Sequence, residues 1–213
     1  MSFPRQYRRT LTERASTAGD EARAKILAIA FELMAEKGYR GTSIAQVAAR
    51  AGISQSGLLH HFPSKQALLL GVIDYRQEVD SRSLEGSDGR PLVGWDAFDA
   101  LSALVRKNSE REQVVRMFAT LCAEALDPGH PAHAWIQEHY TGGEVSIAAA
   151  IEAGIAAGTM RPDMPPVTIA QLTVAIMDGL QLQWLASEQT LDMAGAFEAY
   201  VEHLRLTWGI GHD

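Results

Sequence analysis

Apolar residues recur every three to four positions over long stretches of the chain, and glycine and proline lie mainly between these stretches. This spacing places apolar side chains along one face of a helix. The stretches are rich in Ala, Leu, Gln, Glu and Arg, which favour helical backbone. The pattern therefore predicts an all-α fold.

Capping residues predict where the first helices begin and end. An N-cap at Asp20 starts the first helix, and Gly38 accepts the left-handed conformation that stops it. Ser43 forms a capping box with the residue three positions later, Ser54 caps a second short helix, and Ser64 caps a third.

The second short helix is predicted to run from Gln55 to about His61. Leu58 and Phe62 lie four positions apart and are its predicted buried pair. With the helix before it, this segment forms a predicted helix-turn-helix, which places its second helix in the DNA major groove. Its outward residues are candidates for base contacts, and residues at helix N-termini are candidates for phosphate contacts. The predicted DNA-binding residues are Thr42, Ser43, Gln55, Ser56, Gly57, Leu59, His60 and Lys65.

Longer helices are predicted from residue 65 onwards. Their ranges are 65 to about 84, 95 to 108, 110 to 126, 131 to 157 with a weak point at Gly142 and Gly143, 167 to 186, and 192 to 208. The prediction therefore divides the chain into an N-terminal three-helix DNA-binding domain with its arm, residues 1 to 66, and a larger helical ligand-binding and dimerisation domain, residues 67 to 213.

Charge is distributed unevenly within the net charge of −7. The first 75 residues carry ten Lys and Arg against six Asp and Glu, and the remainder carries nine against twenty. A basic front on an acidic body favours contact of the front with nucleic acid, although chance clustering on a solvated surface would look similar. The arginine-rich N-terminal arm is a candidate for the minor groove, or else a frayed, solvated terminus. The acidic body favours cationic or neutral ligands over anions.

Residues 22 to 69 resemble the DNA-binding domain of the tetracycline-repressor (TetR) family. The matching stretches are "GYRGTSIAQVAARAGIS", "GLLHHF" and "PSKQALL", and "IMDGLQLQWL" is more weakly similar to the family's penultimate, dimer-forming helix. The family commonly has tyrosine where Leu59 stands, so a hydroxyl contact is missing there. The resemblance implies DNA contacts by Thr42, Gln55, Ser56, His60 and Lys65.

Sites for chemistry other than DNA binding are weakly indicated. Adjacent helical side chains point about 100° apart, so His60 and His61 do not form a metal pair, and His61 is expected to pack or cap within the domain. His130 and His133 are expected to be exposed or capping. Cys122 is interpreted as a small core residue. No glycine-rich phosphate loop, nucleophile elbow or dinucleotide fingerprint occurs. We therefore predict no enzyme activity, metal site or cofactor.

Two apolar sets have alternative interpretations. Spacing alone favours core packing for the first set, while the resemblance implies that some of its members line a ligand pocket: Met117, Phe118, Leu121, Trp135, Tyr140 and Met177. The second set is a predicted dimer interface, with an intramolecular core as the alternative. It comprises Leu172, Ile176, Leu180, Trp184, Phe197, Tyr200 and Leu204.

These features together predict a homodimeric repressor of palindromic operators that is released by a small apolar or neutral effector. Release is expected to move the helix that starts at Ser64. A regulator that activates or lacks a ligand is the alternative, and a helical ligand-binding protein or enzyme without DNA binding is a more distant one. A single cysteine and the lack of a secretion signal or of a long uncharged apolar run predict a cytoplasmic location.

Overall fold

The computed structural model describes residues 18–81 and 89–211, so the arginine-rich N-terminal arm lies outside the described residues. Within these ranges the secondary structure consists of α-helices joined by short turns and one isolated backbone bridge, which confirms the predicted all-α fold. The helices are α1 (Ala18–Gly41), α2 (Ile44–Ala51), α3 (Gln55–His61), α4 (Lys65–Ser81), α5 (Trp95–Ser109), α6 (Glu112–Ala125), α7 (His133–Ala156), α8 (Pro166–Ala186) and α9 (Met193–Trp208).

The predicted caps of the short helices are confirmed. Ser43 Oγ accepts the Gln46 N–H at 3.2 Å and Gln46 Oε1 accepts the Ser43 N–H at 2.9 Å, which completes the capping box of α2. Ser54 Oγ accepts a backbone N–H of α3 at 3.0 Å, and Ser64 Oγ accepts one of α4 at 3.0 Å. These bonds satisfy N–H groups that the first turn of a helix leaves without partners.

Glycine has different effects in α1 and α7. Gly38 has φ 71° and ψ 172°, so α1 is bent at the predicted stop and resumes for one short turn. The predicted weak point at Gly142 and Gly143 is wrong, because neither residue has a positive φ and α7 continues through both. Absence of a Cβ permits a break but does not impose one.

Two clusters of buried side chains form the interior. The first packs α1 to α4 against α6 and the start of α7, and its members include Leu58 and Phe62, which are 0% and 1% exposed. The second packs α5, the end of α7, α8 and α9. Met117 and Leu121 of α6 belong to the first cluster, so the short helices share a core with the longer ones. None of the described helices is long and apolar enough to cross a membrane.

Candidate nucleic-acid interface and ligand site

The outer face of α3 carries a compact group of exposed side chains. Gln55, Ser56, Leu59 and His60 are exposed, and Leu59 remains 41% exposed although it is a large apolar residue. Leu58 points the opposite way and is fully buried. An amide, a hydroxyl, an imidazole and an apolar tip are thereby presented together, which is the chemistry needed to contact base edges and a thymine methyl. Their contact with DNA stays a prediction, as does that of the half-buried Gly57.

Thr42 lies in a different environment from the one expected. Its side chain is buried, with 2% of the residue exposed, and its hydroxyl lies 2.9 Å from the Gly38 carbonyl oxygen and 3.1 Å from that of Leu33. The hydroxyl therefore stabilises the bend of α1 and has no surface left for a phosphate. This correction leaves the exposed Ser43, at the N-terminus of α2, as the candidate phosphate contact there.

Lys65 is held against the end of α1. Its ammonium donates to the Arg40 carbonyl oxygen at 3.3 Å and lies 4.4 Å from the centre of the Tyr39 ring. Burial lowers the pKa of Lys65, and the carboxylate of Glu124 opposes this shift. The group predicted to contact phosphate is thus a half-buried ammonium held in place by these contacts, and not the end of a freely moving surface side chain.

The adjacent histidines have different surroundings. His60 is exposed, while His61 is half-buried and its backbone carbonyl accepts from the Arg23 guanidinium at 3.3 Å. This arrangement agrees with the prediction that His61 packs within the domain. In the described ranges, no group of three or more His, Cys, Asp or Glu side chains is arranged to hold a metal ion.

Glu124 at the end of α6 connects this helix to the bend of α1. Its Oε2 accepts the Tyr39 N–H at 2.8 Å, and a Cβ built on Gly38 would lie 2.6 Å from Oε1. His130 Nε2 is 3.9 Å from the same carboxylate. We refer to Gly38, Tyr39, Glu124 and His130 as the α1–α6 junction.

His130 and His133 make the turn that follows α6. Of the two expected alternatives for His130, exposed or capping, the structure shows the second: the residue is 5% exposed, and its Nδ1 accepts the Ala132 N–H at 3.2 Å. The Nδ1 of His133 lies 2.8 Å from the Ala125 carbonyl oxygen at the end of α6. Because Nδ1 of His130 is an acceptor, its Nε2 carries the proton in the neutral ring. Burial lowers the pKa of His130, which favours this neutral form.

Between α6, α7 and α8 lies a group of aromatic and polar residues that we call the central cluster: Phe118, Trp135, His139, Tyr140 and Asp178. The rings of Trp135 and His139 are stacked, with centres 5.0 Å apart and planes at 23°. Phe118 meets the His139 ring edge to face at 5.1 Å. The Tyr140 hydroxyl donates to Asp178 Oδ2 at 2.7 Å.

Burial changes the titration of the polar members of the central cluster. It raises the pKa of Asp178, with the Tyr140 hydrogen bond and His139 opposing, and it lowers the pKa of His139. The neighbouring Cys122 has its pKa raised by burial to about 12. A thiol with that pKa is neutral and unreactive near neutral pH, which supports its interpretation as a core residue.

The predicted ligand-pocket residues divide into two groups. Met117 and Leu121 are 6% and 4% exposed and pack in the first hydrophobic cluster, in line with the alternative of core packing, and their place in a ligand pocket stays a prediction. The others remain half-buried in or next to the central cluster: Phe118, Trp135, Tyr140 and Met177. Trp135 and Tyr140 pack against the first hydrophobic cluster and Met177 against the second. Sequence reasoning did not place His139 and Asp178 there. One signal was present, since Asp178 is the one charged residue in the 21 residues of α8.

The predicted dimer interface is also divided by burial. Trp184, Phe197 and Leu204 are 4%, 0% and 4% exposed and pack in the second cluster, so they cannot also meet another chain. Their apolar faces serve the intramolecular core that was the alternative interpretation. Leu172 is 48% exposed. The half-buried members of the set are Ile176, Leu180 and Tyr200.

Comparison with known proteins identifies relatives of both the short helices and the whole fold. The family model described as "Bacterial regulatory proteins, tetR family" matches residues 26–72. The transcriptional regulator CymR of Pseudomonas putida is 42% identical over 71 residues, 33% of each chain. The A-factor receptor protein of Streptomyces griseus is 27% identical over 169 residues, which cover 78% of this chain and 56% of the relative. The matches thus span about a third and about half of these two relatives.

Longer matches extend the similarity beyond the short helices. The transcriptional regulator RutR of Escherichia coli O157:H7 is 27% identical over 190 residues, 88% of this chain and 82% of the relative. A crystal structure of a TetR transcriptional regulator from Chloroflexus aurantiacus J-10-FL superposes with a TM-score of 0.74 and 25% identity, covering 91% of this chain and 98% of that one. The predicted resemblance to the tetR family of bacterial regulatory proteins is confirmed by the family model over residues 26–72 and by a shared fold over 91% of the chain.

Proposed function

We propose that this protein is a DNA-binding transcriptional regulator, acting as a homodimeric repressor of a palindromic operator from which a small molecule releases it. The observation that carries the proposal is the exposed face of α3, where Gln55, Ser56, Leu59 and His60 stand together above the buried Leu58. The matched relatives are named as transcriptional regulators, which favours this function over a helical enzyme.

Gln55 and Lys65 take different roles in the proposed complex. The Gln55 amide is suited to a paired hydrogen bond with adenine and therefore to reading sequence. The Lys65 ammonium is suited to a phosphate, which positions the protein without specifying sequence. Both residues lie at the first position of a helix, α3 and α4 respectively, so the capped N-termini of these helices fix where the two side chains start.

The exposed part of α8 is the proposed dimer contact. Leu172, which is 48% exposed, lies on the same helix as the half-buried Ile176 and Leu180, four and eight positions later. A second copy packed on this stripe by two-fold symmetry would present two α3 helices to one DNA site. Two-fold symmetry in the protein matches a palindrome in the operator, with half-sites about one helical turn apart.

Release by a ligand is proposed to act through α6. Phe118 in this helix belongs to the central cluster, and Glu124, less than two turns later, holds the bend of α1 through the Tyr39 N–H. α6 packs more extensively on α1 than on any other helix, so a ligand that shifts α6 displaces α1 first rather than the helix starting at Ser64. A coupling free energy of about 1 to 3 kcal/mol is typical and would weaken DNA binding by about 5- to 150-fold.

Fluorescence anisotropy on a labelled duplex from upstream of the protein's own coding region tests the proposal, beside a scrambled duplex and at two salt concentrations. We expect binding that prefers the upstream duplex and weakens steeply with salt, because phosphate contacts release counterions. Gln55→Ala should reduce the preference by about 1 to 3 kcal/mol, while Lys65→Gln should weaken binding to both duplexes and lower the salt slope by about one.

Gln113→Ala is the matched control for Gln55→Ala, because Gln113 is exposed at the start of α6, away from α3 in the sequence.

Light scattering measures the oligomeric state. Leu172→Lys should shift a dimer towards monomer. The control Leu126→Lys should not, since Leu126 is 73% exposed after the end of α6. If the operator lies elsewhere, selection of bound sequences from random DNA would identify it. Failure to enrich any sequence would contradict the proposal.

A further inference from the structure

The central cluster between α6, α7 and α8 contains one carboxylate, that of Asp178. Asp178 is half-buried and is the one acidic or basic residue of α8. Its Oδ2 accepts the Tyr140 hydroxyl at 2.7 Å, which supplies one neutral donor. In the part of the chain that the structure describes, no lysine or arginine is paired with this carboxylate. A buried carboxylate with so little compensation costs folding free energy.

Within the described ranges, the imidazole of His139 is the basic group that acts on this carboxylate, and it compensates the charge poorly. Burial lowers the pKa of His139, so the neutral ring is favoured. The ring is also stacked on Trp135, 5.0 Å between centres, and packed against Phe118 at 5.1 Å. Among the described residues, the charge of Asp178 is therefore left without a cationic partner.

Aromatic rings adjoin this carboxylate in sequence of contact: Tyr140 donates to it and meets the ring of His139, against which Phe118 and Trp135 pack. Phe118, Trp135 and Tyr140 come from α6 and α7, and all three keep part of their surface accessible. The faces of aromatic rings carry partial negative charge and attract cations, most strongly where water is excluded. A carboxylate with rings beside it is complementary to an organic cation, whereas an anion would be repelled and a neutral ligand would leave the charge uncompensated.

We propose that the central cluster binds an organic monocation, an ammonium head carried on an aromatic or alkyl body, with the head at Asp178 and the body against Phe118 and Trp135. The proposal rests on the proposed function for its role, since this cation would be the releasing effector. It replaces the predicted apolar or neutral effector with a ligand that has an apolar body and a positively charged head. Burial raises the pKa of Asp178 in the free protein, and a bound cation would oppose that shift.

Three probes that share one body and differ in the head test the inference: phenylbutylammonium, phenylbutanol and phenylbutyrate. Calorimetric titration of the full chain without DNA measures each affinity. We expect the ammonium to bind about tenfold or more tightly than the alcohol, and the carboxylate to bind most weakly. Asp178→Asn should remove the preference for the ammonium over the alcohol, because the amide keeps the size and the hydrogen bond to Tyr140 but not the charge.

Glu152→Gln is the matched control, since it removes one negative charge from an exposed position of α7 and should keep the preference. Circular dichroism melting checks that both variants fold. Equal affinity for the ammonium and the alcohol, no binding of the ammonium, or a preference that survives Asp178→Asn would overturn the inference.

The titrations contain no DNA, so they separate failure of the site from failure of the proposed function. Binding of the ammonium without any effect on DNA anisotropy would support the cation site and contradict its role as effector site. Conversely, a chain that binds operator DNA but shows no head-group preference would retain the proposed function and lose the cation site.

Discussion

The outer face of α3 and the central cluster are built in different ways. The α3 face takes its exposed side chains from one seven-residue helix whose ends are fixed by Ser54 and by the turn at Pro63 and Ser64. The central cluster takes Phe118, Tyr140 and Asp178 from three helices that are distant in sequence. Local signals define the first region, and tertiary packing defines the second.

Burial differs between the two regions in a way that bears on function. In α3 the anchoring and the outward side chains are clearly separated, as the 0% exposed Leu58 and the 41% exposed Leu59 show. Members of the central cluster are mostly half-buried. A clear separation of buried from exposed side chains suits a surface that docks as a rigid unit. Half-buried side chains suit a site that a ligand can enter and leave.

Leu58→Ala and Leu59→Ala make the same chemical change at neighbouring positions and should have the largest difference in effect. Leu58→Ala leaves a cavity in a closed core and is expected to lower the free energy of unfolding by about 2 to 5 kcal/mol. Leu59→Ala should change it by less than about 0.5 kcal/mol and instead alter DNA preference, because its side chain is outward. Urea unfolding and anisotropy measure the two effects.

Similar stability losses for the two leucine variants would contradict the division of α3 into an anchor and a reading face. Unchanged DNA preference in Leu59→Ala would remove this residue from the proposed contacts while leaving Gln55 and His60.

The same contrast explains which features of the two regions could be predicted from the sequence. The capping box of Ser43 and Gln46 and the N-cap Ser54 are local patterns, so helix starts could be predicted closely. Thr42 was misplaced because its burial depends on the bend at Gly38, which brings carbonyl groups of α1 to its hydroxyl. Helical periodicity shows that a residue faces inward but not which neighbour it meets.

Helices α6 and α9 show most clearly what helical periodicity cannot predict. Met117 and Phe118 are adjacent in α6, yet the first fills a core and the second lies in the central cluster. Phe197 and Leu204 were predicted to face a second chain, and they pack in the second cluster of their own chain instead. Inward and interface positions have the same spacing, so only the packing of α5 and α9 against each other separates them.

Gly38→Ala should have the next largest effect, because it strains the junction that connects the two regions. An alanine at φ 71° is strained, and its Cβ would lie 2.6 Å from Glu124 Oε1, which Tyr39 holds in place. We expect the free energy of unfolding to fall by about 1 to 3 kcal/mol, a decrease of roughly 2 to 4 °C in Tm for each kcal/mol.

Gly142→Ala is the matched control, since that glycine is helical and no neighbouring atom lies within 4 Å of the added Cβ. It should raise stability by about 0.5 to 1 kcal/mol. Adding Glu124→Ala to Gly38→Ala should recover the steric part of the loss but not the backbone strain. A tolerated Gly38→Ala would show that the bend of α1 is not fixed by the junction.

Asp178→Asn should change stability less than Leu58→Ala or Gly38→Ala and should act in the opposite direction. Burial raises the pKa of Asp178 above its ordinary value of 3.8, so the ionised carboxylate weakens the fold at neutral pH. The amide cannot ionise and should raise the free energy of unfolding by about 0.5 to 2 kcal/mol there. Thermal or urea unfolding across a pH series measures the difference between the variant and the parent.

The sign of the pH dependence makes this prediction specific. As the pH falls through the raised pKa of Asp178 towards 3.8, the parent carboxylate takes up a proton in the folded state first, and the advantage of Asp178→Asn should disappear. The positive charge of a protonated His139 would favour the charged carboxylate and narrow the gap further. Glu152→Gln should show no such trend. An Asp178→Asn variant that is less stable than the parent at neutral pH would mean that the carboxylate is compensated within the fold, and the central cluster would then resemble the α3 anchors rather than an open site.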